Sequence, residues 1–155
     1  MKIRHSLKSL AGACLALLLT GCEQDYGVDQ YEKPVSASDI QQRWLVINYW
    51  ATWCAPCAKE IPELNQLSET LESSQYKVIG VNFDGLEGAE LTQASEKMGI
   101  RFTVLAQDPA QRFGIARSQV LPVTHIVGPD GRLRASLPGE QTAQKLLARL
   151  KALEE

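Results

Sequence analysis

The sequence predicts an α/β domain with a mixed central sheet and helices on both faces. Three observations predict it. Apolar, β-favouring runs alternate with helix-forming stretches in the order β-α-β-α-β, followed by β-β-α. The run Tyr76 to Phe83 (YKVIGVNF) is apolar enough for a strand buried on both faces, as parallel strands are. The chain closes on Gln141 to Leu153, where Leu146, Leu147, Leu150 and Leu153 make the stripe of an amphipathic helix. A chain of 155 residues, 45% apolar and 22% charged, has the size and balance of one soluble globular domain.

The elements follow in order. Ser36 to Arg43 suits a short helix, with Ser36 or Ser38 as cap and Asp39 in its first turn. Trp44 to Trp50 is the first clear strand. The helix from Ala55 to Leu71 carries Ile61, Leu64, Leu67 and Leu71 on one side, with Pro62 inside it as a source of a kink. After Tyr76 to Phe83, Glu87 to Met98 is helical and Gly99 stops it. Phe102 to Leu105 is a short strand. Pro109 opens a short helix that ends at Gly114. Val123 to Val127 is a strand, Pro129-Asp130-Gly131 a turn, and Arg132 to Ser136 the returning hairpin partner.

The stretch Leu45 to Leu64, LVINYWATWCAPCAKEIPEL, organises the chain. An apolar strand stops at Cys54 and Cys57 and turns straight into a helix. Cys54 is thereby placed at the helix N-terminus, where free N–H groups and the helix dipole favour its thiolate. The thiolate is the nucleophilic form of cysteine. Cys57 lies one turn further in, close enough to close a disulfide with Cys54. A disulfide this local constrains the unfolded chain little, so redox chemistry explains the pair better than a structural staple does.

WCAPC after an apolar strand resembles the thioredoxin superfamily. The wording VINYWATWCAPCAKEIPEL is similar to the branch of extracytoplasmic thiol–disulfide oxidoreductases typified by TlpA, ResA and the cytochrome c maturation reductases. The resemblance runs from Trp44 to the C-terminus, about 110 residues. It implies a thioredoxin fold with an extra segment between the second and third core strands. It implies a redox disulfide, Cys54–Cys57. Pro122 in LPVTHIVGPDGRL matches the cis-proline that packs beside the cysteines, bringing the Leu121 backbone to the disulfide, where an extended substrate can pair with it. Where family members often have Gly-Val-Pro-Thr-Thr, this chain has Val120 and Val123.

The remaining candidates follow from that frame. Trp50 is expected in the core, while Trp53 helps shape the contact surface and Pro56 restricts the turn between the cysteines. Asn48 occupies the place of thioredoxin's buried acid and cannot accept a proton at working pH. Glu60, three residues after Cys57 on the same helix face, is the candidate replacement. His125 is expected as a satisfied strand histidine, and Asp84 as a loop cap.

The N-terminus has a pattern of its own. Lys2, Arg4 and Lys8 precede a short apolar run, Leu10 to Leu19, and then Leu19-Thr20-Gly21-Cys22, which resembles a bacterial lipobox. Residues 1–21 are then a cleaved lipoprotein signal peptide, and Cys22 carries the lipid. The polar residues 22–35 read as a tether ahead of a domain spanning 36–155. Cys14 leaves with the signal peptide, so Cys54 and Cys57 are the redox-capable thiols. Losing Lys2, Arg4 and Lys8 takes the net charge from −2 to −5.

These features predict a cell-envelope lipoprotein facing the periplasm from the inner or outer membrane. It is expected to act as a monomeric thiol–disulfide oxidoreductase, most simply a disulfide reductase of exported proteins, of cytochrome c maturation type or of general thiol redox. Its partners are protein thiols and disulfides, with a membrane electron carrier as donor. No cofactor or metal is expected, and neither the charge nor any Lys/Arg run suits nucleic acid. Two other classes compete. A thiol peroxidase would need a hydroxyl three residues before Cys54, where Ala51 stands. A Cu(I) carrier could use two thiolates, whereas zinc would want more ligands than His125 supplies.

Overall fold

The computed structural model describes residues 25–71 and 75–155. The expected signal peptide, Cys14, and Cys22 as the expected lipid attachment site lie outside the described residues. Ten elements follow in order: α1 (Ala37–Ile40), β1 (Trp44–Trp50), α2 (Ala55–Thr70), β2 (Tyr76–Asn82), α3 (Gly88–Lys97), β3 (Thr103–Leu105), a short 3-10 helix (Ala110–Phe113), β4 (Val123–Val127), β5 (Leu133–Pro138) and α4 (Ala143–Glu154). Among the described residues, no helix is long and apolar enough to cross a membrane.

The five strands form one sheet in the order β3-β2-β1-β4-β5. β1, β2 and β3 run parallel, and β4 and β5 are antiparallel to their neighbours. This is a thioredoxin fold. β1 is central and buried at all seven positions, so its sequence is apolar almost throughout rather than alternating.

The two faces of β1 lead into two cores. Trp44, Val46 and Trp50 face a layer built from Ile61, Leu64 and Leu67 of α2, Leu91 of α3, and Leu146 and Leu150 of α4. Leu45, Ile47 and Tyr49 face the other layer, with Tyr26, Val35, Ile40 of α1 and Ile115. Helices thus cover both faces unevenly: three long ones on one side, short pieces on the other. Gly80 of β2 makes room for Trp50. A Cβ there would stand 3.0 Å from both Phe102 and Val104 and 3.2 Å from the Trp50 indole nitrogen. α2 continues through Pro62.

The expected tether is corrected from Asp25 onward. Residues 25–35 belong to the domain, with Tyr26, Gln30 and Val35 all buried. The physical reason is the open edge of β3. The Gln30 side chain donates to the Phe102 carbonyl (3.0 Å) and accepts from the Val104 N–H (2.8 Å). Asp29 bridges to Leu105, and Ala106 N–H donates to the Val28 carbonyl. A polar segment therefore does a strand's work, closing an edge that would otherwise be free to pair. Composition hides this, because the side chain that closes the edge is the amide of Gln30.

Candidate active site

Cys54 is the N-cap of α2, and its sulfur accepts from the Cys57 N–H at 3.2 Å. Pro56 sits in the first turn, where a missing N–H costs nothing. Cys54 and Cys57 are joined in a disulfide. Cys54 is 5% exposed and Cys57 not at all, so the nucleophile expected at an exposed helix start is largely covered in the oxidised form. Trp53 beside it is exposed, at 64%. Its indole N–H donates to the Asp84 carboxylate (3.0 Å), and its ring meets Phe83 edge-on. Asp84 therefore holds Trp53 in place. The loop cap expected of it is Asn82, whose side chain accepts from the N–H groups of Asp84 and Leu86.

The Leu121–Pro122 peptide bond is cis. Pro122 is buried, Leu121 half-buried and Val120 exposed. Pro122 leads into β4, which lies against β1. The loop before β4 is thereby carried to the end of the sheet where β1 runs into Cys54.

Glu60 is 1% exposed, one turn after Cys57. One carboxylate oxygen accepts from Asn48 Nδ2 (2.6 Å) and the other from the Gln141 N–H (3.0 Å). Asn48 Nδ2 also donates to Thr124 Oγ1 at 3.1 Å. Burial pushes the Glu60 carboxyl up to about 6. The two hydrogen bonds act against that rise, while the charge of Glu140 adds to it. A carboxylate poised near neutrality beside a cysteine pair can exchange protons with a thiol at working pH. Thr124 and the Gln141 backbone were missed in the sequence. The pairing of Asn48 with Thr124 across β1 and β4 puts them on one face, a signal visible once the strands are registered.

His125 is on the opposite face. Its Nδ1 bonds Ser136 Oγ at 2.9 Å, and its Nε2 is buried with no partner among the described residues. The expectation of a satisfied histidine is therefore half met. Burial lowers its pKa against the pull of Asp108. Trp50 lies in the core, 0% exposed, as expected.

The profile of the AhpC/TSA family matches residues 19–136. The chain belongs to the AhpC/TSA family. Within reach of that family match, the thiol–disulfide oxidoreductase ResA of Bacillus anthracis is 26% identical over 121 residues, covering 78% of this chain and 69% of that protein. The crystal structure of a DsbF homologue from Corynebacterium diphtheriae superposes with a TM-score of 0.67 at 26% identity, over 84% of this chain and 83% of the other. StoA of Bacillus subtilis, at 17% identity and a TM-score of 0.60 over 80% of this chain and 90% of its own, shares the fold. This AhpC/TSA member, with its Cys54–Cys57 pair and these relatives, is a thiol–disulfide oxidoreductase.

Proposed function

We propose that the chain is a membrane-anchored disulfide reductase of exported proteins, of cytochrome c maturation type or of general thiol redox. The observation that carries the reading is the cysteine pair at a helix N-terminus, with one buried carboxylate a turn behind it. In the reduced enzyme, the Cys54 thiolate attacks one sulfur of a substrate disulfide. A mixed disulfide forms and one substrate thiolate leaves. Glu60 takes the Cys57 proton, and the Cys57 thiolate attacks the Cys54 sulfur. The second substrate thiolate leaves, and the Cys54–Cys57 disulfide returns. Two electrons have passed to the substrate, and a membrane electron carrier restores the dithiol.

Trp53 and the backbone of Leu121, presented by Pro122, form the surface on which the substrate chain lies. Pro56 tunes the redox pair by shaping the turn between the cysteines. The protein works as a monomer, without cofactor or metal. A peroxidase is disfavoured by Ala51, which is buried and brings no hydroxyl to the site.

Cys22 carries the anchor in this reading, with residues 1–21 removed as signal peptide. Asp25 is then the nearest described residue, and its carbonyl accepts from Arg112 at 2.7 Å. Tyr26 next to it lines a cleft with Leu45 at the start of β1 and Gly128 beyond the end of β4. That is the pole opposite the cysteines, so the redox site would face away from the membrane, towards the periplasm. Cys22→Ala is expected to release or misprocess the protein, and fractionation of cells is the check. A variant that is still matured and membrane-bound would remove the anchor.

The reaction is tested by trapping. Wild type is expected to reduce insulin disulfides without consuming peroxide or copying a metal carrier's stoichiometric Cu(I) uptake. Cys57→Ser is expected to accumulate mixed disulfides through Cys54 on non-reducing gels, and Cys54→Ser to accumulate none. Equal trapping by both would overturn the assigned roles.

A further inference from the structure

We infer that Asn48 is a positioning residue for the redox reaction, its side-chain amide reversing so that it pairs with Glu60 in either protonation state. The inference rests on the reading of Glu60 as the proton acceptor.

The geometry is asymmetric in a telling way. Asn48 Nδ2 stands 2.6 Å from Glu60 Oε1 and 3.1 Å from Thr124 Oγ1, so both of its protons are used. The other end of the same amide, Oδ1, is buried and has no partner among the described residues. Asn48 is 0% exposed and Glu60 1%, so exchange with bulk water cannot settle these bonds. While Glu60 is ionised the arrangement suits it, because a carboxylate only accepts and two donors reach it.

Protonation changes the requirement. When the Cys57 S–H gives its proton to Glu60, the new carboxyl O–H needs an acceptor in a buried site. The Gln141 N–H is a backbone donor and cannot become one, so the proton belongs on Oε1. There the atom in reach is Asn48 Nδ2, also a donor. Turning the amide by a half-rotation about its last torsion puts Oδ1 where Nδ2 was. That torsion is of the broad, two-fold kind, so both orientations are ordinary. The two lone pairs of Oδ1 then accept from the Glu60 hydroxyl and from the Thr124 hydroxyl, which can donate as readily as accept. Nδ2 moves to the place Oδ1 had, so one amide atom lacks a partner before and one after. An amide at position 48 thus offers Glu60 a donor in one state and an acceptor in the other. A carboxylate there would compete with Glu60 for the proton, and a leucine would serve neither state.

Of the other charges around Glu60, Glu140 favours its protonated form, and the rest are engaged elsewhere. On α2, Cys57 is the proton source and Glu63 is engaged by the Ala143 N–H at 2.9 Å. Lys59 and Glu140 pair with each other at 3.7 Å on the exposed side. β1 and β4 present Asn48 and Thr124, which do not titrate, and His125 lies on the opposite face of the sheet.

The test is a pH titration of the full chain, oxidised, by NMR, following the Glu60 carboxyl carbon and the Asn48 side-chain NH2 together. The NH2 protons are expected to lose their hydrogen-bonded shifts in step with Glu60 protonation. Asn48→Leu is expected to raise the Glu60 titration by about one pH unit, since it removes a charge-assisted bond to the ionised form. It is also expected to slow mixed-disulfide resolution about tenfold at neutral pH. Thr124→Val, which keeps the Glu60 partner, should move the same titration by less, and it supplies the readout should Asn48→Leu fail to fold. Asn48 NH2 signals that stay constant through the Glu60 titration would overturn the inference. An unchanged resolution rate in Glu60→Gln would instead overturn the reading on which it rests.

Discussion

β1 carries two polar side chains next to one another, Asn48 and Tyr49, and their fates differ. Asn48 points to the α2 face, where Glu60 lies buried between helix and sheet. Tyr49 points to the other face, where its hydroxyl donates to Asp108 at 2.7 Å and its ring meets His125 edge-on. Both faces therefore hold a carboxylate bound to a β1 side chain near the redox end. The difference is burial. Glu60 is sealed, and its carboxyl rises to about 6. Asp108 is exposed, and beside it Tyr49 goes up, mainly from burial, while His125 goes down, also from burial. Both move away from a second charge near neutrality. On the face with the buried acid, burial brings a carboxyl up to about 6, towards the range where an enzyme works.

The largest expected difference between the faces is in stability against pH. The Glu60 carboxyl titrates higher in the folded protein than its ordinary 4.5, so the folded state binds that proton more tightly. Its contribution is fully present below the unfolded value and is lost as pH rises through about 6. The loss above that pH is about 2 kcal/mol. Glu60→Gln should remove this fall, seen as a flatter plot of urea-unfolding free energy against pH for the oxidised protein. An unchanged slope would make Glu60 a solvated residue and erase the contrast.

Smaller effects are expected on the other face. Tyr49→Phe loses one hydrogen bond to an exposed partner, about 1 kcal/mol, without changing the pH profile of disulfide exchange. His125→Phe, which removes a half-partnered ring, should alter the rate least of all, and thermal melting with exchange kinetics checks both. A changed pH profile in either variant would move proton handling to that face.

Much of this was legible beforehand. The strand–cysteine–helix junction announces itself because apolar β-formers give way to helix formers at Cys54. The Pro122 turn and the acid after Cys57 were legible through resemblance. What stayed hidden were partnerships made by polar groups. Gln30 looked like part of a tether because an amide that closes a strand edge reads as hydrophilic. Asp84 looked like a cap because its partner, Trp53, is 31 positions away in sequence. Asn48 looked like a missing acid, and only the strand pairing shows Thr124 beside it. Periodicity reports which face a residue takes, and it is silent on which polar atom it meets there.

The most direct measurement is the rate at which Cys57 resolves a mixed disulfide, followed by stopped flow across pH in wild type and Glu60→Gln. The account predicts a rate about ten- to a hundredfold lower in the variant near neutrality, with the fold intact and the inflection near pH 6 gone. Superimposable rates and pH profiles for the two proteins would contradict it.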